Sequence, residues 1–178
     1  MKPNKRTMSE GRALDILQNL RDDFRRSITD NYELRAKPCS GCDTAGACCL
    51  DAHFVNVRIS RLEAVAIRRE LDALDKTHRE SVYARIDDAI RRFRLDGSDD
   101  LRTYACPLYE SGVGCLVHDT AKPLPCIQHA CYENKKDLPP DDLLEAAELE
   151  VGQLNRRVYG RQQTLLPLPV AVRKGDTI

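Results

Sequence analysis

Eight cysteines dominate the chemistry available to this 178-residue chain: Cys39, Cys42, Cys48, Cys49, Cys106, Cys115, Cys126 and Cys131. Thiolates are soft metal ligands and good nucleophiles, and ordinary proteins use cysteine sparingly, so the excess needs a chemical reason. Cys39-x-x-Cys42 has the spacing at which two thiolates in a tight turn converge on one metal, with Gly41 supplying backbone freedom. The Cys48-Cys49 pair strengthens the signal. Adjacent side chains diverge, so one of the two serves a second site, stays outside the first, or joins a polynuclear cluster. Cys106-Pro107, Cys115, Cys126 and Cys131 are spaced too widely for a simple zinc finger. All eight are candidate metal ligands, enough for two four-thiolate sites or for one cluster with spares.

All-thiolate coordination suits both a closed tetrahedral zinc site and an iron–sulfur cluster, so the expected cofactor is zinc or iron. Nitrogen ligands are unnecessary with so many thiols. His118 and His129 lie close in sequence to Cys115 and Cys126 and are read as partly exposed, hydrogen-bonding imidazoles. His53 is a possible neighbour of the metal, and His78 reads as a solvated helix residue. An anionic metal centre attracts backbone N–H groups and nearby cations, for which Lys37, Arg102 and Lys122 are the candidates. Arg85, Arg91, Arg92 and Arg94 are read as a solvated helix face. The pairs Asp22-Asp23, Asp87-Asp88, Asp99-Asp100 and Asp141-Asp142 point their carboxylates apart in a helix and read as caps or solvated first turns. No phosphate-binding glycine loop, serine-nucleophile motif or His-Glu-x-x-His occurs, so no catalytic residue is assigned.

The elements that must position these thiols are mostly helices. Residues 9–28 place Leu17, Leu20, Phe24 and Ile28 at helical spacing. Ser60-x-x-Glu63 is a capping box opening a helix with Ala64, Ile67, Leu71 and Leu74 on one face, and Thr77-x-x-Glu80 repeats the device ahead of Val82, Ile86, Ala89 and Phe93. Pro139-Pro140-Asp141-Asp142 starts a last helix with a Leu144, Ala147, Val151, Leu154, Val158 stripe ending at Gly160. His53 to Ile59 alternates like a short strand. The stretches 39–49 and 101–131 show no period and read as loops. They offer few large side chains, so a metal is expected to tie them together. The expected fold is mainly α, a small helical bundle with irregular cysteine-rich metal-binding loops and minor β. It forms one domain over 1–178, with an N-terminal helix in 1–37, a cysteine core in 38–131, and a C-terminal helix and tail in 139–178.

Composition narrows the function classes. Lys plus Arg number 28 and Asp plus Glu 28, so the net charge is zero and offers no general attraction to polyanions; a nucleic-acid partner is not expected. The longest apolar stretch, 165–172, is broken by Pro167 and Pro169 and is too short to cross a bilayer. The basic N-terminal residues are followed by no apolar run, which predicts no secretory signal, a cytoplasmic location and reduced thiols.

The chain resembles the YkgJ-like CxxCxxCC cysteine-cluster family of bacteria, a zinc- or iron-chelating domain. The resemblance is carried by Cys39-Ser40-Gly41-Cys42, Cys48-Cys49, Val55-x-Val57-x-Ile59-Ser60-x-x-Glu63, Cys106-Pro107-Leu108, Gly114-Cys115-Leu116-Val117-His118-Asp119 and Lys122-Pro123-x-x-Cys126. It covers about half the chain. The Cys42–Cys48 gap is longer than the family name implies, Lys122-Pro123 stands where Arg-Pro is usual, and Cys131 lies outside the pattern. The resemblance implies metal chelation, structural or in a metal- or redox-responsive accessory protein, and it implies no particular reaction. The cysteine block alone is also similar to that of some flagellin lysine methylases. The alternative is therefore a redox or methyl-transfer enzyme using an iron–sulfur cluster or a reactive thiolate.

Overall fold

The computed structural model describes residues 7–38, 42–52, 55–97, 101–160 and 164–174. Its architecture is mainly helical with minor β, as the sequence predicts. The elements run α1 (Glu10–Asn31), β1 (Ala36–Lys37), α2 (Ala47–Leu50), β2 (Arg58–Ile59), α3 (Arg61–Asp72), α4 (Lys76–Phe93), β3 (Tyr109–Glu110), β4 (Gly114–Cys115), α5 (Leu124–Gln128), β5 (Cys131–Tyr132), α6 (Asp141–Tyr159), β6 (Leu166–Pro167) and α7 (Leu168–Lys174). Two compact units interleave in sequence, one of residues 1–45 and 122–163, the other of 46–121 and 164–178. No helix among the described residues is long and apolar enough to cross a membrane.

In the first unit α1 packs on α5 and α6. Ser9 caps α1 by accepting from the Arg12 N–H, and the helix buries Ala13, Leu14, Leu17, Arg21, Phe24 and Ile28, with Leu20 half-buried beside them. Helix α6 buries Ala147, Val151, Leu154, Asn155 and Val158, while Asp141 and Asp142 in its first turn complement the helix dipole. The start of α1 is tied to the end of α6 by the Thr7 N–H donating to Arg157 O (2.9 Å) and the Tyr159 hydroxyl donating to Glu10 (2.7 Å). Strands β1 and β5 pair antiparallel, Ala36 with Tyr132 and Lys37 with Cys131.

The second unit is built on α3, α4 and α7. The Ser60 capping box forms in full: the Ser60 side chain accepts from the Glu63 N–H, and the Glu63 carboxylate accepts from the Ser60 N–H (2.9 Å). Ala64, Ile67 and Leu71 point inward from α3. The second expected box does not form. Asp75, two residues earlier, caps α4 by accepting from the His78 N–H (3.0 Å), and Thr77 lies inside the helix. Asp is as good an N-cap as Thr, and the earlier start adds two helical residues that Thr77 would forgo. Val82, Ile86 and Ala89 are buried as expected, and α4 ends at Phe93, short of Asp96-Gly97.

Two further differences concern the apolar segments. The alternating stretch pairs only at Arg58–Ile59, against Leu166–Pro167; Val55 is buried and Asn56 exposed, so the alternation reports burial rather than a longer ladder. The segment after α6 is no tail. Leu168, Pro169, Val170, Ala171 and Val172 are all buried in α7, which packs on α3 and α4. A short helix that is apolar all round belongs in a core, and each of its buried Leu and Val side chains contributes about 1.5–3 kcal/mol. Tyr104, fully buried, locks this layer: its hydroxyl donates to Val57 O (2.6 Å) and accepts from the Leu168 N–H (3.3 Å).

Candidate metal centre

The cysteines divide between the units. Cys42, Cys126 and Cys131 belong to the first, and Cys48, Cys49, Cys106 and Cys115 to the second. Cys39, expected as a ligand, and His53 lie outside the described residues.

In the second unit, the stretch expected to be featureless carries one turn of helix. Gly46 sits at φ 84°, a conformation that favours glycine, and its carbonyl accepts from the Cys49 and Leu50 N–H groups (both 2.9 Å) to start α2. That turn holds the vicinal pair, Cys48 and Cys49, both half-buried. The Cys106 N–H donates to Cys49 O (2.7 Å), joining the second cysteine segment to the first. Cys115 lies on β4 opposite Tyr109 of β3 in a short hairpin. The region from 101 to 131, read as loop, therefore contains a hairpin and the short helix α5.

In the second unit the Cys49 thiol feels the other three. Burial pushes the Cys49 thiol up to about 12, and the neighbouring Cys48, Cys106 and Cys115 sulfurs reinforce the rise because thiolates side by side repel. Burial likewise raises Cys106 to about 12; the nearby Leu108 and Tyr109 N–H groups and the Arg85 guanidinium oppose the rise, and Cys115 adds to it. Without a cation Cys49 and Cys106 hold their protons. A bound divalent ion would invert that preference, since a coordinating thiol is deprotonated outright. No three His, Cys, Asp or Glu side chains among the described residues are gathered at ligating distance around one point. Four thiols are soft donors of the kind that zinc and iron take.

The cations and histidines differ from expectation. Lys37 is occupied by Glu133 (3.0 Å), and Arg102 donates to Phe93 O (3.5 Å). The cation that acts on Cys106 is Arg85, which is not on a solvated face but half-buried against Pro107 and Glu110. His78, read as solvated, contacts Glu110 through Nε2 (2.8 Å). The missed signal was spacing: His78 and Arg85 are seven apart on α4, hence on one face, beside the buried Val82–Ile86 stripe. His118 and His129 are exposed.

In the first unit, Cys42 Sγ lies 3.7 Å from the Thr44 hydroxyl, Cys126 rides on α5, and Cys131 on β5 faces Lys37 across the ladder. None of the seven described cysteines is in a disulfide. No family model, curated protein or solved structure matches the chain.

Proposed function

We propose that this protein is a metal-chelating cysteine-cluster protein, with Cys48, Cys49, Cys106 and Cys115 binding zinc or an iron–sulfur cluster in a structural or metal- or redox-responsive accessory role. Cys42, Cys126 and Cys131, with Cys39, form the second candidate set. The observation that carries the reading is the Cys49 thiol, bordered by Cys48, Cys106 and Cys115, with the Cys106 N–H bonded to Cys49 O (2.7 Å). Ligation asks the sulfurs to close on a common centre by side-chain rotation, since their backbones are already linked at Cys106–Cys49. Membership of the YkgJ-like family and a cytoplasmic location, where thiols stay reduced, belong to the same proposal.

Elemental analysis and visible absorption of anaerobically purified protein test it. Stoichiometric zinc in colourless protein, or iron with a visible sulfur-to-iron band, supports chelation, and Cys106→Ser should then remove metal from its site. Metal-free protein whose eight thiols alkylate at the rate of a model peptide would overturn it.

A further inference from the structure

Four thiolates around a divalent ion carry a net charge of −2, and a dianion set against a core needs donors and a nearby cation. Arg85 of α4 supplies that cation through a forked contact. Its Nε donates to Pro107 O (3.0 Å), the residue after Cys106, while its Nη2 donates to Glu110 Oε1 (2.6 Å). Glu110 pairs with Gly114, the residue before Cys115, and is held from its other side by His78 (2.8 Å). The two prongs thus reach the backbone step after one ligand and the hairpin that carries another. The Leu116 N–H donating to Leu108 O (3.0 Å) closes the same hairpin behind them. No lysine can reproduce this, since a single ammonium lacks the planar fork.

We propose that Arg85 is the positioning residue of the four-thiol site, fixing Cys106 and Cys115 relative to each other through Pro107 and Glu110 while offsetting the charge of the metal–thiolate centre. The proposal rests on the metal-binding reading of that site. Replacing an outer partner of metal ligands typically costs 10–100-fold in affinity.

The test uses the full chain loaded with Zn2+ or Co2+ alone, comparing wild type, Arg85→Met, Arg85→Lys and the control Arg91→Met, whose exposed guanidinium meets Asp88 on the same helix. Metal release to a chelator should be 10–100-fold faster in both Arg85 variants, the Co2+–thiolate charge-transfer band should shift, and Arg91→Met should behave as wild type. If the wild type binds neither ion at the four-thiol site, the reading of the site fails and Arg85 falls with it. If the wild type binds and Arg85→Met releases at the same rate, the Arg85 proposal alone is overturned. Full rescue by Arg85→Lys would also overturn it, because charge without the fork would then suffice. Should Arg85→Met not fold, Arg85→Lys against wild type makes the same comparison.

Discussion

Gly46 is the position where one methyl group tests the architecture of the thiol site. Its φ of 84° costs an L-residue about 1–2 kcal/mol before any contact is considered. A Cβ there would also fall within the ring of Tyr109. The ring end can swing, but Tyr109 is anchored by its backbone opposite Cys115, so the displacement is an overpacking event worth about 1–3 kcal/mol. Gly46→Ala should therefore cost about 2–5 kcal/mol in urea unfolding followed by circular dichroism with chelator present. Gly112 is the internal control. It has φ 80° with nothing within 4 Å of an added Cβ, so Gly112→Ala should show the backbone cost alone. In a Tyr109→Ala background Gly46→Ala should fall to that same level, leaving a coupling energy of about 1–3 kcal/mol between the two sites. Coupling below about 0.5 kcal/mol, within the usual error of additivity, would refute the placement of α2 against the β3–β4 hairpin, and with it the grouping of Cys48 and Cys49 with Cys115.

Tyr104→Phe removes the hydroxyl that bridges Val57 O and the Leu168 N–H, which keep their own bond (2.9 Å), and should cost about 0.5–1.5 kcal/mol by thermal unfolding. Asp75→Ala should cost about 1 kcal/mol as a lost N-cap while Thr77→Ala should be near neutral; the reverse order would restore the cap to Thr77. For Glu110, burial alone would raise the carboxyl, but hydrogen bonds with His78 and Arg85 outweigh it and hold the folded value below the ordinary one. Its stabilisation is then fully present above the ordinary carboxylate value and lost as pH falls through the lowered one, so Glu110→Gln should flatten the acid limb of stability against pH.

Helices were legible wherever periodicity and caps agreed. Ser9, the Ser60–Glu63 box and the Pro140-Asp141 start all lie where the sequence puts them, because these signals are local. Thr77 failed for the same reason: with Asp75 two residues before it, two local caps compete, and the longer helix wins. The burial of α7 was illegible because five consecutive apolar residues have no face; only packing against α3 and α4 distinguishes a core helix from a tail. The thiols were visible as a set, but their division was not. Cys42 and Cys48 are neighbours in sequence yet belong to different units, and no spacing rule encodes where one unit's backbone gives way to another's. Arg85 looked like one arginine among several on α4 because its partners, Pro107 and Glu110, are more than twenty residues away.

The cysteine segments seemed, from composition, to need a metal to order them, and for the second unit the packing argues otherwise. Tyr104, Leu108, Val117 and Ala121 are each at most 1% exposed, so the segment carrying Cys106 and Cys115 is pinned by its own apolar anchors. The Tyr104 N–H donates to Val55 O (2.9 Å) and the Cys106 N–H to Cys49 O (2.7 Å), closing the roughly 60-residue loop between the two cysteine segments. Closing a loop of that size by a cross-link would stabilise the fold by about 4 kcal/mol if the loop were otherwise open. Here the core has already spent that entropy, so an ion at these thiols, as proposed, would meet a preorganised backbone. Its binding energy would go into deprotonating the thiols and drawing the sulfurs in, rather than into building the fold around them.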